Sequence, residues 1–305
     1  MIRRVFLTGV LLFSGGLLFG LDLSAVMGGG NLSFNPREDE PLGSGEFTGH
    51  PYPFGRIVLT DRVSETLGYS VSLERDPVLR NTLNGELRVT AGLFSFSLGP
   101  LFGLFDTREN PLKPGVSAGI GVDLPGIIFA SLRGGAVFGS LHEKGDYTLE
   151  TGSIALGFWL PNLINTLSFT AKQFTLFQAE DLLTEDELLR FCYRVEIYSK
   201  NVPYTVSIDM GYQTLIRSYD GPLVREKDTY HALFLGFETA LTIRPLFTLL
   251  FGAEIPVYSW GKAPLTRGDH AWFVRGFAGF RWTIEKKEKA PVQVEETEAE
   301  VTLRE

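Results

Sequence analysis

Apolar and polar residues alternate with a period of two along most of the chain after residue 21. Between residues 204 and 216, the even positions are mainly apolar or aromatic, as at Tyr204, Val206 and Ile208. The odd positions between them are mainly small or polar, as at Thr205 and Ser207. Because successive side chains of a strand point to opposite faces, this pattern predicts strands with one apolar and one polar face.

The connections between these segments differ in length. Tight turns lie at 123–126, 161–162, 201–203 and 244–245, and longer polar loops begin at Asp106, Leu141, Ala179, Tyr219 and Ser259. Short turns at one end and longer loops at the other are typical of outer-membrane barrels. A secreted soluble β-sandwich has no reason to sort its connections by length, and it is the alternative.

The alternation predicts an all-β, transmembrane antiparallel up-and-down β-barrel. The predicted strands are 22–34, 54–61, 65–75, 82–91, 93–105, 113–123, 126–139, 147–160, 164–178, 189–200, 203–218, 229–243, 246–258 and 270–283. Most of them reach the 9–11 residues or so that a tilted strand needs to cross a bilayer. Fourteen strands are favoured, but twelve are possible because segment 54–61 is weak and the join at Ala91–Gly92 has little turn chemistry.

Both ends of the chain differ in composition from the barrel. Arg3 and Arg4 precede an apolar run that ends at Gly20, which is typical of a secretory signal peptide over 1–20 with cleavage as late as residue 25. An uncleaved membrane anchor is the alternative. The barrel is expected over 21–284. Residues 285–305 are charged and lack aromatics, so they predict a disordered tail. An even strand count puts both termini on one side, expected to be the periplasm.

Composition excludes several classes of function. The formal net charge is −8 and the pI is about 5.2, which argues against nucleic acid as a partner. Cys192 is the single cysteine, so no internal disulfide can form. No Cys/His framework for a metal is present in the sequence, and no cofactor is expected.

The signal segment, the alternating strands, the unequal connections and the aromatic strand from Trp272 to Trp282 together resemble a porin-like bacterial outer-membrane β-barrel. The block 61–81 is also similar to barrel proteins of spirochaetes. The resemblance implies outer-membrane lipid and the barrel-assembly machinery as partners. One departure is that about twenty polar residues follow Phe280 and Trp282, where such barrels commonly end on a terminal aromatic.

If the apolar positions face lipid, the charged positions of the same strands face the lumen. The lipid face of these strands is expected to carry essentially no charge, because an outward Lys or Arg at the bilayer midplane costs roughly 2–4 kcal/mol. The thirteen residues predicted to line the lumen are seven acids and six bases: Glu74, Glu86, Arg88, Asp123, Arg133, Lys172, Arg194, Glu196, Asp209, Glu238, Glu254, Arg275 and Arg281. Those expected at mid-height are Arg133, Arg194, Glu196, Asp209 and Arg275.

A polar lumen of mixed charge without a long plug sequence favours a passive pore for small polar solutes, and no enzymatic activity is expected. A closed barrel that serves as a surface adhesin or scaffold through loops 35–54 and 259–269 is the alternative. A hydrolase at the outer rim, using His270 with Asp269 or Ser259, is a third hypothesis. Segment 35–54 is expected to be an exposed loop rather than a constriction.

The remaining candidate residues have simpler explanations. His50, His142, His231 and His270 all fall near predicted outer ends, but their spacing predicts no metal site. Cys192 is expected to be a small inward filler. The acidic cluster between Glu180 and Glu187 is expected to be a solvated loop, since its spacing does not match a calcium loop.

Overall fold

The structure, a computed structural model, contains fourteen strands and describes nine stretches of the chain. These stretches are 21–30, 52–76, 78–104, 112–142, 145–179, 182–199, 201–222, 225–261 and 274–284. The strands are β1 Leu21–Gly30, β2 Tyr52–Arg62, β3 Leu67–Asp76, β4 Arg80–Ala91, β5 Phe94–Leu104, β6 Leu112–Leu124, β7 Ile128–Val137, β8 Tyr147–Leu160, β9 Leu163–Ala179, β10 Leu182–Ile197, β11 Tyr204–Asp220, β12 Arg225–Arg244, β13 Phe247–Gly261 and β14 Arg275–Ile284. The signal segment, the tail and most of loop 35–54 lie outside the described residues.

The fourteen strands form one closed ring. Each strand pairs antiparallel with its neighbours in sequence, and β1 pairs with β14 from Leu21 opposite Ile284 to Gly30 opposite Arg275. This confirms the predicted fourteen-strand up-and-down barrel, so the twelve-strand and sandwich alternatives are wrong. In the parts of the chain that can be described, no helix is long and apolar enough to cross a membrane.

The two elements that made the strand count uncertain, segment 54–61 and the join at Ala91–Gly92, both form as a fourteen-strand barrel requires. The weak segment forms β2, which pairs with β1 and β3. The join between β4 and β5 is a tight turn in which Gly92 has a φ of +61°, a left-handed conformation that glycine adopts without steric cost. The missing turn chemistry was therefore supplied by a single glycine.

The predicted acidic loop that begins at Ala179 is wrong. Strand β10 already begins at Leu182, and Thr184 to Glu187 continue its pairing with β9 and β11. Alternation then turns Glu185 and Glu187 to one face and Asp186 to the other. These acids belong to an extended wall, because β9 to β12 are 16–20 residues long whereas β3 has 10.

One face of the ring carries the exposed apolar side chains. Ile154 is 54% exposed, Leu132 52% and Phe237 52%, and similar residues recur on the same face of the other strands. On β10 this apolar run extends from Leu189 to Ile197, which corresponds to a band about 20 Å tall for a tilted strand. Such a face matches the hydrocarbon layer of a bilayer.

The outer face is not free of charge, which corrects the sequence-based expectation. Glu150 of β8 and Glu187 of β10 have the outward parity, and Gln173 of β9 lies between them in register. All three lie toward the loop end of their strands, beyond the apolar band. The expectation failed because these strands continue past the apolar segment, where an outward carboxylate meets no hydrocarbon.

The assignment of outward and inward side chains can be tested by placing a positive charge at two neighbouring positions of β8. We expect Ile154→Arg, on the outer face, to lower the free energy of unfolding in lipid vesicles by about 2–4 kcal/mol. Ala155→Arg, the matched change one residue along on the inner face, is expected to cost much less. Urea-induced unfolding of both variants checks this, and equal losses would show that the two faces are assigned wrongly.

Candidate functional site in the barrel lumen

All thirteen predicted lumen residues have the parity opposite to the exposed apolar side chains. The pairing of Arg194 with Asp209 and of Glu254 with Arg275 places these pairs on one common face. Contacts that cross the ring show that this face is the interior. Lys172 of β9, for example, contacts β3, which lies six strands away.

The contact of Lys172 shows that the barrel is constricted. Its Nζ lies 2.5 Å from Oδ2 of Asp76 and 3.4 Å from Oε1 of Glu74. A round barrel of fourteen strands would be roughly 27 Å across. A lysine and an aspartate in contact span only about 12 Å between their Cα atoms. The β3–β4 hairpin therefore leans toward the opposite wall.

The tip of this hairpin is inserted into the lumen. Asp76 Oδ1 accepts hydrogen bonds from the backbone N–H groups of Val78, at 2.8 Å, and Leu79, at 3.0 Å. Val78 is fully buried and Leu79 is 5% exposed. Arg80 follows with a φ of +63°, which is uncommon for a residue other than glycine. The aspartate thus fixes a turn that buries two apolar side chains.

An apolar cluster receives the two side chains at the loop end of the barrel. It contains Val78, Leu79, Leu101, Val137, Tyr147, Leu149, Phe174, Leu176, Leu215, Tyr230 and Ala232. These residues come from six strands between β5 and β12 as well as from the turn itself. We call this region the loop-end plug. Its members are nearly inaccessible to solvent, so side chains fill the lumen at this level.

A buried charge network crosses the barrel beside the plug. Asp186 of β10 accepts hydrogen bonds from Arg217 Nε at 2.6 Å and Arg217 Nη2 at 2.9 Å, and Arg80 Nη2 lies 3.4 Å from Oδ2. The side chains of Asp186 and Arg217 are only 2% and 1% exposed. Since Arg80 belongs to β4 and Asp186 to β10, this network joins opposite walls.

A second buried pair lies at the β7–β8 connection. Lys113 Nζ contacts Asp146 Oδ1 at 2.5 Å, and Ser140 donates a hydrogen bond to Oδ2 of the same carboxylate. Both charged side chains are less than a tenth exposed. This pair holds the loop that precedes β8 against the start of β6, next to the ring of Tyr147.

The charges on β10 to β14 form two further networks. Glu254 bridges Arg190 and Arg275 at 2.5 and 2.7 Å. Arg194 donates two hydrogen bonds to Asp209, at 2.7 and 2.8 Å, and a third to Glu238 at 3.1 Å. Every charge in these two networks has a partner of opposite sign, as cross-strand ladders predict.

The wall formed by β2 to β7 is different. Arg62, Arg88 and Arg133 are inward and exposed, and within the described stretches none of them lies within ion-pair distance of a carboxylate. Asp123 of β6 is also exposed near the turn end, as is Arg281 of β14. These exposed charges define an open part of the lumen below the plug, which we call the vestibule.

Of the predicted mid-height residues, the structure brings together Arg194 with Asp209 and places Arg275 on Glu254. Arg133 lies in the vestibule. Glu196 is half-buried near the turn end of β10 and forms no ion pair with any described residue. Glu86 accepts a hydrogen bond from Asn84 at 2.9 Å.

The sequence reasoning missed the residues that close the lumen. Arg80, Asp186 and Arg217 were not predicted as site residues, and neither were Val78 and Leu79. A signal was available, because Leu215 is an apolar residue on the otherwise polar parity of its strand. Apolar residues at inward positions near loop ends indicate a filled lumen.

The histidines do not form a site within the described residues. His142 is exposed, and His231 faces outward, where Tyr212 Oη lies 2.7 Å from Nδ1 and the ring stacks on Trp260. No group of three potential metal ligands meets among the described residues. Cys192 is buried at an inward position. His50, Asp269 and His270 lie outside the described residues.

Comparison with solved structures finds distant similarity to outer-membrane barrel proteins. The COG4313 outer-membrane channel from Pseudomonas putida F1 aligns with a TM-score of 0.49 at 8% identity, over 88% of this chain and 97% of its own. An anion-selective porin from Comamonas acidovorans aligns with a TM-score of 0.41 at 9% identity, over 87% and 98%. A loop L8 deletion mutant of OmpT, an outer-membrane protein of Vibrio cholerae, gives 0.40 at 11%, over 87% and 100%.

The chain has the fold of an outer-membrane β-barrel. The closed ring and its apolar outer face show this. No protein-family model and no curated protein matches the chain. The similarity to spirochaete barrels therefore stays a prediction.

The buried network is testable through Asp186. We expect Asp186→Ala to lower the free energy of unfolding by about 3–5 kcal/mol, because Arg217 is left buried without its carboxylate. Asp220→Ala is the matched control, since Asp220 pairs with Arg225 on the surface, and it is expected to cost less than about 1 kcal/mol. Urea unfolding in vesicles that gave equal losses would contradict a dry network.

Proposed function

We propose that this protein is an outer-membrane channel for small polar solutes, and that the β3–β4 turn closes its loop-end mouth. The observation that carries the proposal is the contrast within one lumen. Arg88 and Arg133 are inward and exposed, whereas Asp186 and Arg217 are inward and dry. A vestibule that ends at a plug made of side chains fits a channel in its closed state.

The contacts that close the loop-end opening favour a closure that is reversible. The turn between β3 and β4 has a few residues only, and it is held by burial of Val78 and Leu79 and by ion pairs. No ladder of backbone hydrogen bonds joins β3 or β4 to β9 or β10. Outward movement of the turn would therefore break side-chain contacts across the lumen but no backbone ladder across it, while the pairing of β3 with β2 and of β4 with β5 keeps the hairpin in the ring.

The expected orientation follows from the ends of the strands. Both termini of the described barrel lie at the end with the short turns, and in such barrels that end faces the periplasm. We infer that the plug faces outward and the vestibule faces the periplasm. Outer-membrane lipid then contacts the apolar band, and the barrel-assembly machinery is the expected folding partner.

A permanently closed barrel that acts as an adhesin or scaffold is the second candidate, and the filled loop end favours it. The two candidates differ in whether the plug ever opens. The rim-hydrolase hypothesis stays a prediction, because Asp269 and His270 lie outside the described residues and Ser259 alone defines no catalytic group.

Conductance in planar bilayers tests the channel proposal. We expect the wild-type protein to show brief, infrequent openings. The double variant Val78→Ser with Leu79→Ser is expected to raise the open fraction at least roughly tenfold, because it removes apolar burial of about 1.5–3 kcal/mol per side chain from the closed state.

The matched control is Leu93→Ser with Val202→Ser, two apolar residues in exposed turns at the other end. It is expected to behave like the wild type. If neither the wild type nor the plug variant conducts while both migrate as folded barrels in unheated electrophoresis samples, the channel proposal is overturned and the scaffold is favoured.

A further inference from the structure

Three vestibule arginines lie in one cross-strand row. The register pairs Arg62 with Gly68, Gly68 with Arg88 and Arg88 with Ser97. The row continues from Ser97 to Gly119 and from Gly119 to Arg133. Two small residues therefore separate Arg88 from Arg133, and a glycine separates Arg62 from Arg88. The only side chain in the row between these arginines is the small hydroxymethyl group of Ser97.

Arg133 leans along this row toward Arg88. A Cβ placed on Gly119 would lie 3.0 Å from Arg133 Cγ and 2.8 Å from Ser97 Oγ. The stem of Arg133 thus lies over Gly119 and depends on the absence of a side chain there. The next row toward the turn end is also small, since Ser95 Oγ would lie 2.7 Å from a Cβ on Gly121.

The two arginines are close enough to meet on one ligand. Two strands, β5 and β6, lie between Arg88 and Arg133, and the three strand spacings correspond to about 14 Å between their Cα atoms. An extended arginine reaches about 7 Å. The positive charges of Arg133 and Arg62 act unfavourably on charged Arg88, and the negative charge of Glu86 offsets part of this repulsion.

The arginines on β10 to β14, in contrast to those of the vestibule, are paired with carboxylates. There Arg190 and Arg275 share Glu254, and Arg194 has two carboxylates. On the vestibule wall Glu86 is the nearest inward acid in sequence to Arg88, but it accepts a hydrogen bond from Asn84 and forms no ion pair with a described residue. The vestibule arginines are thus left available for an external anion.

We propose that Arg88 and Arg133 form a binding site for a small phosphate-bearing anion. Ser97, which lies between them in the cross-strand row, is its neutral hydrogen-bond donor. A guanidinium presents N–H donors in a planar fork that matches the oxygens of a phosphate, and two of them balance a doubly charged ligand. Water reaches both side chains, so the ligand can enter from the turn end. Arg62 adds positive charge at the edge of the site.

The inference rests on the proposed function only in that the vestibule must be open to solution. It does not require that the plug opens or that any current flows. Binding in a detergent-solubilised, folded barrel therefore tests it separately. Conductance without phosphate binding would remove the site and leave the channel, whereas binding without conductance would do the reverse.

Isothermal titration of the full-length folded protein with inorganic phosphate is the experiment. We expect saturable binding of one phosphate by the wild type. Arg88→Gln and Arg133→Gln are each expected to weaken it at least roughly tenfold, because each removes a charge-assisted contact. Gly119→Val is expected to weaken binding as well, since it displaces the stem of Arg133 without changing the charge.

The matched control is Arg225→Gln, which removes one positive charge from an exposed pair at the loop end and is expected to bind phosphate like the wild type. Absence of saturable binding by the wild type would overturn the proposal. Equal affinity of the wild type and both arginine variants would also overturn it, as would an equal loss in Arg225→Gln.

Discussion

A charge inside a closed barrel must either pair with an opposite charge or remain in water, and this constraint organises the lumen. Desolvating an unpaired ion costs several kcal/mol, so Asp186 can be buried only because it pairs with Arg217 and Arg80. Arg88 and Arg133 form no such pair with a described residue and are exposed. The division of the interior into a plug and a vestibule follows from this difference.

The plug depends on one short turn. Asp76 accepts hydrogen bonds from the turn backbone and also pairs with Lys172 on the opposite wall, so a single side chain both shapes the turn and anchors it. Apolar burial then adds to the ionic contacts, because Val78 and Leu79 fill space that a wide barrel would otherwise leave open to water. Long strands β9 to β12 supply the wall that receives the turn.

The period-two pattern was enough to predict the fourteen strands and their inward and outward faces, because alternation is a local property of the backbone. The sequence predicts a loop for the acidic run from Glu185 to Glu187, because its charges hide the alternation of β10. Contacts across the ring, such as that of Arg80 with Asp186, were beyond prediction, because sequence spacing does not determine how far a barrel departs from a circle. Leu215, an apolar residue at an inward and otherwise polar position of β11, is the sequence feature that indicates a filled lumen.

Thiol labelling of the turn tests the closed mouth most directly. In a Cys192→Ser background, Leu79→Cys and Arg225→Cys each leave a single thiol, at a buried turn residue and at an exposed loop-end residue. With the folded barrel in vesicles, we predict that a membrane-impermeant maleimide modifies residue 225 rapidly and residue 79 at least roughly a hundred times more slowly, since opening must precede reaction. Equal rates would contradict the account, because they would show that the turn lies in solvent and the mouth is open.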